Sequence, residues 1–219
     1  MYRGKFVVLD VESTNSIEDP LVYDIGFAVV DNYGTVYDTY SYVVADIFLD
    51  EELMKSAYFI DKVPQYWEDI RAGTRELKTY FNIRKQFREV CEKYYIWCVL
   101  AHNARFDNRA LNLTARYLTG SRAKYFLPNG IELWDTLKMS REVLKGNQDY
   151  TDFCHAHDFV TTRSANRLTA EVIYRWLTNN ADFEEAHTGL EDVLIEKEIF
   201  RYCMEQKPEI DGILWGRET

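Results

Sequence analysis

The sequence predicts an α/β fold: a mixed five-stranded sheet that begins with three consecutive strands and carries helices on both faces. Three observations lead there. Residues Phe6–Leu9 form an unbroken apolar run, the pattern of a strand buried on both faces. Two segments rich in β-branched and aromatic residues, 21–31 and 35–44, follow directly. From residue 77 onward helical and strand-like patterns alternate, which sets later strands parallel to the first and lays helices over the sheet.

The first strand runs from Phe6 into Asp10 and Glu12. Positions i and i+2 of a strand share a face, so the two carboxylates point the same way at the end of a central strand. There they repel each other, and burial sharpens the repulsion. An oxygen-only pair of this kind suits a hard divalent cation such as Mg²⁺; the plain alternative is a strand ending in solvated acids. Leu21–Asp31 and Thr35–Val44 read as an antiparallel hairpin, with residues 31–34 as its turn. Residues 46–73 read as irregular, with Pro64 as a breaker and short helical pieces around it. Leu77, Phe81, Phe87, Val90, Cys91 and Tyr94 recur at helical spacing and predict a helix over 77–94. Ile96–Ala101 is a second buried strand. Phe106, Ala110, Leu113 and Tyr117 mark the helix after it, with Gly120 as its stop. A short strand at Ile131–Trp134 precedes a helix over about 136–144, two more near 150–157 and 166–177, and a last one from Gly189 to Met204, ahead of Pro208. No repeat or linker interrupts the series, so residues 1–219 are expected to form one domain, with a core over about 5–206 and a short C-terminal tail.

At 47% hydrophobic and 15% aromatic, the chain has ample material for a core. No apolar run reaches membrane-spanning length and the N-terminus lacks a signal-peptide pattern, so a soluble, intracellular protein with no membrane partner is expected. Cys91, Cys98, Cys154 and Cys203 show no zinc spacing and no expected disulfide. The net charge of −10 argues against simple electrostatic capture of nucleic acid. Its distribution is uneven: residues 71–124 are net +8 and the remainder net −18. The plain reading of that basic island is a solvated helix face.

Two further places carry chemistry. Asn103 is placed to cap the helix after the second buried strand, which puts Asp107 in its first turn. If that strand lies parallel to the first, Asp107 stands at the same end as Asp10 and Glu12; taken alone it is a helix-dipole partner. Thr188 and Glu191 have capping-box spacing, with His187 just outside the last helix and Asp192 in its first turn. An imidazole, with its ordinary pKa of about 6.5, suits a general base; an exposed loop histidine is the alternative.

Taken in order, these residues resemble the DnaQ-like, or DEDD, 3′–5′ exonucleases of the ribonuclease H-like superfamily. Asp10-x-Glu12 resembles the first motif, Asn103 with Phe106-Asp107 the second, and His187 followed after four residues by Asp192 the third. The tyrosine subclass would need Tyr at position 188, where Thr stands, so the match is to the histidine subclass, DEDDh. Trp134-Asp135-Thr136-Leu137 resembles a further step of the pattern. The resemblance covers residues 5–203. It departs at Asn15, where the family often has Gly, and residues 46–73 match no part of it.

The resemblance implies a ribonuclease H-like fold and two divalent cations, Mg²⁺ or Mn²⁺, held by Asp10, Glu12, Asp107 and Asp192, with His187 as base. It implies release of nucleoside 5′-monophosphates from single-stranded or frayed 3′ ends; the sequence itself does not separate DNA from RNA, and DNA is weakly favoured. Ser13 and Thr14 are expected at the terminal sugar and Asn103 near the terminal nucleotide. Phe106 either stacks on a base or packs its helix onto the sheet. Arg105 and Arg109 are expected along the substrate backbone, with a replicative polymerase as a conceivable partner. An exoribonuclease, a polymerase-associated proofreading or binding module, and an endonuclease of the same fold are the competing readings.

Overall fold

A computed structural model describes residues 4–14 and 16–209; the departure at Asn15 lies outside them. The sheet has six strands: β1 (Lys5–Thr14), β2 (Leu21–Asp31), β3 (Val36–Val44), β4 (Glu76–Lys78), β5 (Cys98–Ala101) and β6 (Glu132–Asp135), in the order β4-β3-β2-β1-β5-β6. β1, β2 and β3 are antiparallel; β5 lies parallel to β1, and β6 to β5. The expected mixed sheet is therefore present with one strand more than expected. Its extra member, β4, pairs parallel to the edge of β3. Leu77, expected in a helix, belongs to this strand. The helix begins instead at Tyr80, whose backbone N–H is taken up by the Asp46 carboxylate at 2.6 Å.

Helices α1 (Ala45–Phe48), α2 (Glu51–Met54) and α3 (Val63–Ala72) account for most of the irregular segment. Pro64 does not break structure there; it starts α3, where its missing N–H costs nothing. α4 (Tyr80–Tyr94), α5 (Ala104–Thr119), α6 (Thr136–Val143), α7 (Gln148–Ala156), α8 (Ala170–Thr178) and α9 (Gly189–Gln206) follow. α5 ends at Gly120, which takes the left-handed conformation (φ 65°) expected of a helix stop. α8 starts four residues later than the apolar spacing predicts. Thr169 caps it by accepting from the Val172 N–H, and residues 159–169 fold back through a bridge between Val160 and Asn166.

Alternation along β1 divides the core. Val7, Leu9 and Val11 join Phe27, Phe87 and Leu111 on one face. Phe6 and Val8 join Trp134, Ile199 and Phe200 on the other. Asp10 and Glu12 continue the second series, so they emerge on the face that α9 covers. All four cysteines are buried and unpaired, and burial raises their thiol pKa values.

Candidate active site

β1 pairs with β5 at Val7–Val99 and Val8–Leu100, and β5 ends at Ala101. Asp10 and Glu12 therefore project past the carboxyl end of their parallel neighbour, where α/β sheets open a crevice. Asp107 enters from the first turn of α5, only 4% exposed. Asp192 enters from the first turn of α9.

The approach of α9 depends on two glycines. A Cβ on Gly26 of β2 would lie 2.1 Å from the Gly189 carbonyl carbon, and one on Gly189 would lie 2.6 Å from the Gly26 nitrogen. The first turn of α9 thus rests directly on the sheet backbone. Its Gly189 N–H donates to Asp24 at 2.9 Å. Asp24, fully buried, also accepts from Tyr66 at 2.8 Å and from the Arg75 guanidinium, 2.9 Å from both of its oxygens. Burial raises the Asp24 carboxyl pKa, and Arg75 opposes that rise. The expected reciprocal capping box does not form. The Thr188 hydroxyl donates to the Glu191 carboxylate, which also meets Arg75, while Asp24 satisfies the helix end. Neither Asp24 nor Arg75 carries a motif signal, since their partners are far away in sequence.

One oxygen from each of Asp10, Glu12 and Asp192 falls within 4.8 Å of the other two. Asp107 lines the same cleft. Burial first, and mutual repulsion second, raise the carboxyl pKa values of Asp10 and Glu12; Asp192 is pushed up to about 9 in the same way. Burial also lifts Asp107. Asp10 Oδ2 and Asp192 Oδ1 are buried without a hydrogen-bond partner. Orphaned, crowded oxygens of this kind fit a hard divalent cation.

Two acids escaped the sequence reading. Glu196, one turn after Asp192, is 3% exposed, lines the cleft and has an unpartnered Oε2. Glu185 lines it as well, its carboxyl pushed to about 7 by burial and then by Glu171. The i, i+4 spacing of Asp192 and Glu196 was the available signal for the first.

His187 sits at the cleft in a left-handed conformation (φ 52°). Its ring stacks on Phe59, and its Nδ1 lies 3.8 Å from Glu185. Lys62 donates to the carbonyl of neighbouring Ala186. The otherwise unmatched segment 46–73 thus holds the histidine loop. His102 fastens the opposite wall, its Nε2 2.7 Å from the Leu168 carbonyl and its Nδ1 3.0 Å from the Thr136 hydroxyl. Asp135 accepts from the N–H groups of Asn103 and Leu137, fixing the β5–α5 turn and the start of α6.

The cleft, about 760 Å³, is also lined by Asn103 and Phe106. Asn103 takes the position before α5 in a left-handed conformation and makes no side-chain cap. Thr14 is buried, its hydroxyl directed to the Leu21 carbonyl; Ser13 follows a register shift after Glu12. Arg109 donates to the Ile17 carbonyl and stands over the Phe106 ring at 5.9 Å, and Arg105 is exposed. The cations that line the cleft are Arg141 and Arg167, outside the basic island.

Sheet order and the crossing helix together define a mixed α/β fold of the ribonuclease H-like kind. Among solved structures, the chain is similar to exonuclease I. The apo form of exonuclease I gives a TM-score of 0.61 at 12% identity, covering 94% of this chain and 43% of that one. E. coli exonuclease I with a dA16 oligonucleotide gives 0.55 at 13%, with 94% and 42% covered. The zinc-bound form of E. coli exonuclease I with single-stranded DNA gives 0.59 at 14%, with 95% and 42% covered. This chain thus spans less than half the length of those proteins. The sequence matches no protein-family model and no curated protein. No helix among the described residues is long and apolar enough to cross a membrane.

Proposed function

We propose that the protein is a metal-dependent 3′–5′ exonuclease acting on single-stranded nucleic acid, with DNA as substrate. The convergence of Asp10, Glu12 and Asp192 oxygens within 4.8 Å carries this reading, and Asp107 and His187 on the same cleft support it. Asp10, Glu12, Asp107 and Asp192 would hold two divalent cations, Mg²⁺ or Mn²⁺, which would supply Lewis-acid chemistry to a phosphodiester.

The chain's own residues do the rest. His187, with Glu185 3.8 Å from its Nδ1, takes a proton from the attacking water while its imidazole is neutral. The water oxygen bonds to phosphorus, the bond to the 3′ oxygen breaks, and that oxygen takes a proton from solvent. A nucleoside 5′-monophosphate leaves, and the shortened strand keeps a 3′ hydroxyl. Phe106, half-buried at the cleft, stacks on the terminal base, with Asn103 beside it. Ser13 contributes a contact to the terminal sugar while the buried Thr14 holds the strand end behind it, and Arg105 and Arg109 follow the backbone outside. DNA is preferred because two of the similar structures named above, those with dA16 and with single-stranded DNA, carry DNA. The test uses matched DNA and RNA oligonucleotides, linear, circular and 3′-phosphorylated, with Mg²⁺. Shortening of linear DNA from its 3′ end, with circles and 3′-phosphates resistant, is expected. Rapid cutting of circles would make the protein an endonuclease, and faster turnover of RNA would reassign the substrate.

A further inference from the structure

A second cavity, about 720 Å³, adjoins the cleft and shares Arg141, Asn166 and Leu168 with it. Its floor is apolar, built from Leu144, Tyr150 and Leu168. Its rim is formed by α6 and the turn after it: Lys138 and Arg141 share a face of the helix, and Lys145 stands in the turn two residues past its end. Among the described residues these three form no ion pair, whereas Glu142 on the same helix is neutralised by Lys207. In a chain of net charge −10, three unpaired cations beside a cluster of buried acids make a local positive path into the cleft.

We propose that this cavity is a nucleotide subsite for the strand whose 3′ end occupies the cleft. A base covers the floor, and the phosphates on either side meet Lys138, Arg141 and Lys145. The cations answer a repeated anion, the apolar floor answers a planar ring, and the wall shared with the cleft suits an occupant continuous with the substrate. The inference rests on the nuclease reading, but its test separates the two.

The experiment compares wild type with Lys138→Ala/Lys145→Ala, two residues outside the catalytic machinery. Binding of a fluorescent DNA dinucleotide and octanucleotide is measured in Ca²⁺ across a salt series, and hydrolysis of the p-nitrophenyl ester of thymidine 5′-monophosphate in Mg²⁺. The octanucleotide Kd should rise roughly tenfold, and its log–log salt slope should flatten by about 0.7 per lysine. The dinucleotide Kd and the ester rate should stay at wild-type values. An unchanged octanucleotide Kd, or an equal loss for the dinucleotide, overturns the subsite. Wild-type protein that binds the octanucleotide through these lysines but leaves the ester intact keeps the subsite and overturns the nuclease reading.

Discussion

The Phe59 ring lies flat on the His187 imidazole, with centroids 4.4 Å apart and planes 11° from parallel. The anionic surroundings of the cleft suggest a raised histidine pKa. The structure gives the opposite direction: burial lowers it first, Lys62 lowers it further, and Glu171 opposes both. A lowered pKa keeps the imidazole neutral, and able to accept a proton, further into acid. The acid limb of kcat should therefore lie below the ordinary histidine value. Phe59→Ala exposes the ring, so the limb should move to higher pH. A pH–rate profile of both proteins checks the direction.

His187→Ala should cut kcat by roughly 10²–10⁴, the span for a positioned acid–base group, with metal affinity unchanged. Calorimetric Mn²⁺ titration beside the rate measurement separates a base from a ligand. Loss of activity that tracks loss of metal would remove His187 from the base role.

The buried carboxylates make metal-free stability depend on pH. Unfolded, they titrate near about 4; folded, Glu185 reaches about 7 and Asp192 about 9. Between those limits the native state binds more protons than the unfolded one, so stability is fully present below the unfolded value and is lost as pH rises through the folded ones. Tm without metal should fall from pH 6 to pH 9. Mg²⁺ should raise Tm, and more so at pH 9. Glu196→Gln should make the metal-free fall in Tm shallower, because it removes one buried carboxyl whose pKa is raised by burial first and then by Asp10 and Asp107. A metal-free Tm that is flat across this range would contradict the buried-charge account.

Asp24→Ala takes the one fully buried carboxylate from Arg75, leaving it the more exposed Asp69 and Glu191, and should cost about 3–5 kcal/mol. It also removes the acceptor at the start of α9. Urea unfolding measures the loss, and Mn²⁺ affinity should fall with it, because Asp192 rides on that helix. Gly26→Ala should weaken metal binding by the same route, through the close approach of Gly189. Wild-type stability and Mn²⁺ affinity in either variant would contradict this role for the helix approach.

Much of this fold is legible in local pattern. The apolar run of β1 places Asp10 and Glu12, and helix periodicity with its stop at Gly120 delimits α5. What is not legible is set by long-range pairing. The three-residue β4 exists because β3 offers it an edge, and no period can be read from so short a strand. Asp24–Arg75 and Gly26–Gly189 join segments about 50 and 160 residues apart, and their spacing says nothing of contact. Residues 46–73 match no pattern because their part is to brace His187 through Phe59 and Lys62. Composition concentrates cations on residues 71–124, but those at the cleft wall are Arg141 and Arg167, which no charge run announces.

The central claim is that the Asp10–Glu12–Asp192 cluster performs metal-dependent hydrolysis at a strand's 3′ end. Its most direct test follows a 5′-labelled single-stranded DNA with wild type and Asp10→Ala, in Mg²⁺ and in chelator, with folding of the variant checked by circular dichroism. Wild type in Mg²⁺ should give a ladder shortening from the 3′ end, while chelator and the folded Asp10→Ala variant should both leave the strand intact. Undiminished shortening in chelator, or by the variant, would contradict the account.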